Sequence, residues 1–256
     1  MNTSDVIEMV GVEVADSRRP GRGPLAGVDW SVARGECWVV SGLQGSGISG
    51  LLETAAGLRP VAAGELKLFG ESLAPLRGDE LTGIRKRIGV LFSGTGRLFS
   101  SLTVMDNVTL PLRYHEDLSL SAAAEIVAPL LEALGIESVS ASFPAHLGRS
   151  WTLRVALARS LALRPELLLL DDPFSGLDSG QFRWWRTLIE SVASGHPWLL
   201  GRPATVVIGT DTLRPLLGLG HRFALIDRGA WRVLGDRQNV LACEESGLRE
   251  VLGDPS

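Results

Sequence analysis

The chain has 256 residues, of which 45% are hydrophobic and 21% are charged, and its formal net charge at pH 7 is −4. This length suits one large or two small globular domains, and the composition excludes a disordered or fibrous protein. The negative charge argues against a dedicated nucleic-acid binder, because such proteins are usually strongly basic. Charged residues interrupt every leucine-rich run, so the sequence predicts no membrane span.

The N-terminus and the cysteines predict a reducing compartment. Residues 1–5 lack the basic and then apolar order of a secretory signal peptide. The two cysteines, Cys37 and Cys243, are too few for a disulfide framework or a four-cysteine zinc site. We therefore expect a cytoplasmic protein.

The first 35 residues predict an antiparallel hairpin region. Two short apolar runs, at 6–10 and 27–32, flank a turn-rich segment at 17–24. Three arginines in that segment indicate a solvated loop, with contact to phospholipid or nucleic acid as the less favoured alternative.

From residue 37 onward, patterns of buried strands alternate with helical patterns. The strand patterns cover 37–41, 87–92, 167–170 and 204–209. The helical patterns cover 50–56, 121–135, 151–163, 180–194 and 211–218. Strands that are apolar on both faces and separated by helices predict a mainly parallel α/β sheet.

A glycine-rich loop follows the first of these strands and precedes a helix. Residues 42–49 match the phosphate-binding pattern G-x-x-x-x-G-K-[ST] except that Ile48 stands at the lysine position. Backbone N–H groups of such a loop bind phosphate oxygens, assisted by the helix dipole. Taken alone, the loop fits a plain tight turn equally well.

A second element makes the nucleotide interpretation the stronger one. The strand at 167–170 delivers Asp171 to the carboxyl edge of the sheet, where such an aspartate holds the Mg²⁺ of a P-loop nucleotidase. The alternative is an aspartate that caps the next helix.

The segment from Val155 to Asp178 resembles the ATP-binding cassette (ABC) transporter ATPases, in the helix after the signature, the Walker B strand and the D-loop. The resemblance covers nearly the whole chain. Residues 89–113 are similar to the Q-loop region, particularly that of the Mla/Mce-type lipid-trafficking branch, although related branches share this sequence pattern.

The resemblance implies a fold and partners. The fold is α/β: a single ABC ATP-binding domain over 1–256, with a RecA-like P-loop NTPase core, an N-terminal antiparallel β subdomain and a helical subdomain inserted at about 94–164. The implied partners are a transmembrane permease, docked through the Q-loop groove at the inner face of the cell membrane, and a second ATP-binding subunit. That subunit is either the same chain or a conventional one, and the implied dimer is head-to-tail.

The resemblance also implies ATP and Mg²⁺ as cofactors and assigns site residues. The implied magnesium-binding residues are Ser49 and Asp171, and the implied catalytic positions are Asp172 and Asp211. The nucleotide-binding positions are Gly42, Gly45, Ser46, Gly47, Ile48, Ser49, Ser93, Gly148, Arg149, Ser150 and Asp178.

Several of these positions depart from the family pattern. Ile48 replaces the Walker A lysine, Ser93 the Q-loop glutamine, Asp172 the glutamate after Walker B, and Asp211 the switch histidine. Residues 147–151 read LGRSW in place of the signature. The aromatic residue that stacks on adenine is expected near residue 16, yet no Phe, Trp or Tyr precedes Trp30.

These departures predict weak or absent ATP binding and hydrolysis near background. Losing one charged stabiliser costs about 10²–10³ in rate, and a carboxylate at Asp211 would repel the γ-phosphate by about 1–4 kcal/mol at 4 Å. The sequence thus favours a degenerate ATPase. Two alternatives stay open: an active enzyme in which Arg149 supplies charge across the dimer, and a nucleotide-free scaffold.

Overall fold

The computed structural model describes residues 5–14, 25–243 and 246–253, and the structural statements below refer to these ranges. The strands within them are β1 Ile7–Val14, β2 Leu25–Val32, β3 Cys37–Ser41, β4 Ala63–Leu68, β5 Glu71–Ser72, β6 Ile88–Leu91, β7 Leu167–Asp171, β8 Thr205–Thr210, β9 Arg222–Asp227 and β10 Ala230–Gly235. The turn-rich segment at 17–24 lies outside the described residues.

The strands form two sheets. One has the order β2-β1-β4-β5 with antiparallel pairing, which confirms the predicted pairing of the first two strands. The other has the order β10-β9-β3-β8-β7-β6, and all its neighbours are parallel except β9 and β10. The mainly parallel sheet predicted from the apolar runs is therefore confirmed.

The helices connect these strands in the described ranges. They are α1 Ile48–Ala55, α2 Gly78–Lys86, α3 Val104–His115, α4 Leu120–Ala133, α5 Arg149–Leu161, α6 Ser179–Ser194, α7 Arg237–Ala242 and α8 Ser246–Leu252. The helix predicted at 211–218 is wrong: only the 3-10 turn Arg214–Leu216 forms there. Gly218 and Gly220 follow it, and each glycine disfavours a helix by about 1 kcal/mol relative to alanine.

The large sheet is buried on both faces, which explains its continuous apolar strands. In β7, Leu168 and Leu170 pack into the cluster formed with α3 to α6. Leu167 and Leu169 point the opposite way and pack with α1 and the antiparallel sheet. This arrangement places α1, and the loop before it, at the carboxyl edge of the parallel strands. No helix in the described ranges is long and apolar enough to cross a bilayer.

Candidate functional site

The glycine-rich loop joins the end of β3 to the start of α1. Gly45 and Gly47 have positive φ angles of 82° and 110°, a backbone region that L-residues rarely adopt. Gly47 is the N-cap of α1, and no side chain caps this end of the helix. The loop therefore has the backbone form of a phosphate cradle, because the first N–H groups of a helix lack intrahelical partners.

Ile48 places its side chain against β8. A Cβ added to Gly209 would lie 2.4 Å from Ile48 Cγ2 and 3.0 Å from Leu52 Cδ1. Ile48 is half-buried and packs against the apolar cluster between α1 and the two sheets. Ile48 thus packs closely against the edge of the apolar core.

Asp171 and Asp172 end β7 at the same edge. Asp171 is buried, with 8% of its surface exposed. Asp172 has a φ of 54°, and its N–H donates to the Gly209 carbonyl at 2.9 Å. Burial, followed by the charge of Asp211, raises the pKa of Asp172 to about 6.

These residues line one cleft of about 890 Å³. It contains ten of the residues predicted from sequence: Gly42, Gly45, Ser46, Gly47, Ile48, Ser49, Ser93, Asp171, Asp172 and Asp211. Among the described residues, its charged lining comprises five carboxylates and two arginines: Asp171, Asp172, Asp211, Asp227, Glu250, Arg59 and Arg228. The described lining of the cleft is consequently acidic.

Four of these charged residues were missed by sequence reasoning, namely Arg59, Asp227, Arg228 and Glu250. Asp227 ends β9, Arg228 follows it, and Glu250 lies on α8; the sequence patterns predicted neither of these two elements. Arg59 lies after α1 and pairs with Glu53 of that helix. A prediction of β9 as a further parallel strand would have placed Asp227 at this edge.

Gly148, Arg149 and Ser150 lie outside the cleft and line a second pocket of about 440 Å³. The rest of its lining is formed by Trp151, Arg154, Gly176 and Gln181. Arg149 Nε donates to the Ser175 carbonyl at 3.1 Å. This second pocket contains two arginines and no carboxylate.

Asp178 lines neither pocket. Its carboxylate accepts from the N–H groups of Gly180 and Gln181 at 2.8 and 2.9 Å, which forms a capping box at the start of α6. The position near residue 16, expected for an adenine-stacking aromatic, lies outside the described residues. Trp30, the first aromatic in the chain, is buried in the core at 2% exposure.

A family model described as "ABC transporter" matches residues 25–175, which is more than half of the chain. The chain belongs to the ABC transporter family. Within that family it is an ATP-binding domain, since its relatives are ATP-binding proteins of transporters and its fold matches known ATP-binding cassettes.

Two curated relatives illustrate the range of similarity. The chain is 32% identical to the methionine import ATP-binding protein MetN of Rhizobium etli over 97% of its own length and 66% of that protein. It is 36% identical to the intermembrane phospholipid transport system ATP-binding protein MlaF of Haemophilus influenzae, over 57% of its own length and 55% of that protein. The chain thus spans between about half and two thirds of the length of these ABC relatives.

Solved structures match the ABC fold over most of the chain. A dimeric, post-hydrolysis structure of the ATP-binding cassette MJ0796, bound to ADP and Pi, superposes with a TM-score of 0.77 at 26% identity. The match covers 90% of this chain and 98% of that one. A further dimeric structure of the same cassette gives a TM-score of 0.76 at 27% identity.

Proposed function

We propose that this chain is a degenerate ATP-binding subunit of an ABC transporter, which docks on a membrane permease and hydrolyses little or no ATP of its own. The observation that carries the proposal is the packing of Ile48 on Gly209. An apolar side chain held in the core supplies no cation to the β- and γ-phosphates of ATP. Removing one such stabiliser of the transition state costs about 10²–10³ in rate.

The charge of the cleft supports the same proposal. ATP brings a polyanion, yet Asp172 and Asp211 line the cleft where the family has a glutamate and a histidine. At an effective dielectric constant near 20, like charges 4 Å apart repel by about 4 kcal/mol. Of the two arginines that line the cleft, Arg59 is paired with Glu53 and Arg228 lies 3.9 Å from Asp227.

ABC ATPases normally bind ATP with Mg²⁺, and part of this cleft suits that ligand. The backbone of the loop provides a cradle for phosphate, and Ser49 and Asp171 are the residues that would hold the metal. Within the part of the chain that the structure describes, the side chains that line the cleft offer no positive charge beyond the two arginines already described. We therefore propose that ATP–Mg binds weakly or is absent.

The remaining parts of the proposal concern architecture and partners. The helices α3, α4 and α5 fall within 94–164, which supports a helical subdomain inserted in a single ATP-binding domain over 1–256. Ser93 and this subdomain form the side that receives the permease, so the subunit works in the cytoplasm at the inner face of the cell membrane.

The relatives' names include phospholipid transport and methionine import, and we propose lipid or another small substrate as cargo.

ATP hydrolysis by the purified chain tests the proposal, with Asp171→Asn as the background control. We expect no turnover above that control. The Ile48→Lys variant should stay inactive as well, because Asp172 and Asp211 remain.

A turnover near about 1 s⁻¹, within the ordinary enzyme range, that is abolished by Asp171→Asn would contradict the proposal. If this ATP hydrolysis also disappeared in Arg149→Ala, the chain would instead be an active ATPase in which Arg149 acts as a catalytic cation.

A further inference from the structure

An arginine at the first residue of α5 contacts the loop between β7 and α6. Arg149 Nε donates to the carbonyl of Ser175 in that loop at 3.1 Å. The arginine side chain lies against the backbone of Gly176, because a Cβ added there would be 3.5 Å from the same nitrogen. The carboxylate of Asp172 hydrogen-bonds with the Ser175 side chain and attracts the guanidinium of Arg149. Arg149 is therefore engaged within its own chain.

A second arginine of α5 holds the segment that leads from β6 into α3. Arg159 donates to the carbonyl of Gly96 at 2.6 Å and to that of Arg97 at 3.0 Å. The segment approaches α5 closely, since a Cβ added to Gly96 would lie 2.2 Å from the Cβ of Ala156. The backbone at residues 96 and 97 is thus fixed on the helix.

Arg97 extends this connection to α1. Its guanidinium pairs with the buried Glu53 of α1 at 2.5 Å and lies 4.1 Å from the ring centroid of Phe92. Arg97 has a φ of 51°, a backbone region that residues with a side chain seldom adopt. Such a conformation persists only where the surroundings hold it, and here the pair with Glu53 and the hydrogen bonds from Arg159 do so.

These contacts fasten α5 to the rest of the chain at both ends. The first residue of the helix is held by the Arg149–Ser175 contact, and its last turns are held through Arg159 and the Arg97–Glu53 ion pair. Glu53 and Ser175 both lie outside the helical segment 94–164. Apolar packing between layers is non-directional, whereas hydrogen bonds require a distance and an angle. The arginines therefore determine how this segment is oriented.

We propose that the Arg149–Ser175 contact and the Arg97–Glu53 ion pair together lock the helical segment 94–164 in one orientation relative to the rest of the chain. Both contacts lie within one copy, so the lock itself does not depend on the proposed function. Its consequence for a transporter does rest on that function. The surface formed by Ser93 and the helical segment keeps one shape whether or not the cleft is filled, so the permease meets a fixed docking surface.

Distances between two spin labels, measured by double electron–electron resonance, test the lock. The labels are attached at Glu125→Cys on α4 and Thr187→Cys on α6, which are exposed positions. Cys243→Ser removes the partly exposed native thiol. Cys37 stays unlabelled, because burial, followed by the charge of Glu190, raises the pKa of its thiol to about 12. The measurement needs neither nucleotide nor permease.

We expect one narrow distance distribution for the labelled chain without further substitution. Arg149→Ala and Arg97→Ala should each broaden the distribution, and the double variant should broaden it more than either. Arg77→Ala is the matched control, since Arg77 is an exposed arginine that donates to the carbonyls of Ala74 and Leu76 in its own loop. This control should leave the distribution unchanged.

Hydrogen exchange provides a second measurement without labels. The N–H of Phe99, two residues beyond Arg97, donates to Asn107 Oδ1 at 2.9 Å. In Arg97→Ala the segment should open more often, so that exchange at Phe99 becomes about tenfold faster. Exchange at the buried Leu170 of β7, which reports opening of the large sheet, should change less than at Phe99.

A distance distribution that is as broad in the unsubstituted chain as in the double variant would overturn the inference. A single variant, Arg149→Ala or Arg97→Ala, that stays as narrow as the unsubstituted chain would overturn it as well. Neither result bears on ATP turnover. Conversely, turnover above the Asp171→Asn control together with a narrow distribution would refute the proposed function and leave the lock standing.

Discussion

The contact between Ile48 and Gly209 underlies the proposal that the cleft binds and hydrolyses little or no ATP. Because a Cβ on residue 209 would come within 2.4 Å of Ile48 Cγ2, the two positions are sterically coupled. A lysine at position 48 has a longer side chain whose charge would need solvent. The contact thus shows that position 48 accommodates an apolar side chain against Gly209.

This coupling gives a prediction for stability. Gly209→Ala should destabilise the chain by about 1–3 kcal/mol, the usual cost of overpacking a core. Ile48→Ala should relieve that cost, so that the double variant is more stable than the sum of the single effects indicates. Urea unfolding of the four proteins measures the coupling.

Strictly additive effects of the two substitutions would contradict this contact. Leu43→Ala, at an exposed position in the same loop, serves as the matched control and should be additive with Gly209→Ala.

Asp178 fits two roles, contact with nucleotide and capping of a helix, and the sequence alone does not distinguish them. The resemblance assigns Asp178 to nucleotide, and its carboxylate caps α6 by accepting two backbone N–H groups. An aspartate before a helix is also the ordinary N-cap residue. Its contact with nucleotide stays a prediction, while its capping role follows from the hydrogen bonds.

At the scale of elements, α1 is tied to its surroundings through Glu53. This buried carboxylate pairs with Arg59, just beyond the helix, and with Arg97 at 2.5 Å, in the segment after β6. Burial raises the pKa of Glu53, but the hydrogen bonds and charges of the two arginines outweigh it, so the pKa lies below the usual value of 4.5. The helix that follows the glycine-rich loop is therefore held by an ion triad centred on a buried carboxylate.

The sign of this shift predicts an acid-dependent loss of stability. Because the folded pKa is the lower one, the stabilisation is complete above pH 4.5 and is lost as the pH falls through the folded pKa. Glu53→Gln should be less stable than wild type at pH 7 and should lack this part of the pH dependence. Thermal unfolding between pH 7 and pH 3 measures it.

Glu125→Gln, an exposed change on α4, is the control and should retain the wild-type dependence. If the unfolding temperature of Glu53→Gln fell with pH in parallel with that of wild type, Glu53 would not be the source of this pH dependence.

The parallel strands were predictable because burial on both faces leaves unbroken apolar runs, as in Leu167 to Leu170. The meeting of the glycine loop with Asp171 was predictable for the same reason, since parallel strands end at one edge. β10 was missed because it is the edge strand and is largely exposed, so it carries no clear apolar run. β9 is paired on both sides, but its buried apolar run covers only residues 223–226, which is short for a strand signal. Residues such as Asp227 and Glu250 enter the cleft only through the tertiary fold.

For the whole molecule, the two pockets divide the predicted site residues into an acidic and a basic set. The glycine-rich loop, Asp171 and Asp172 share the cleft, whereas Gly148, Arg149 and Ser150 lie in the second pocket. In a single copy of the chain they therefore form no common site. The head-to-tail dimer that the family resemblance implies would bring the two sets together.

Titration calorimetry of the purified chain with ATP–Mg measures whether the cleft is a nucleotide site. We expect no binding, or binding much weaker than low micromolar, because Ile48 supplies no charge and the described lining of the cleft is acidic. A dissociation constant near about 1 μM, equivalent to about −8 kcal/mol, that is lost in Asp171→Asn would contradict it.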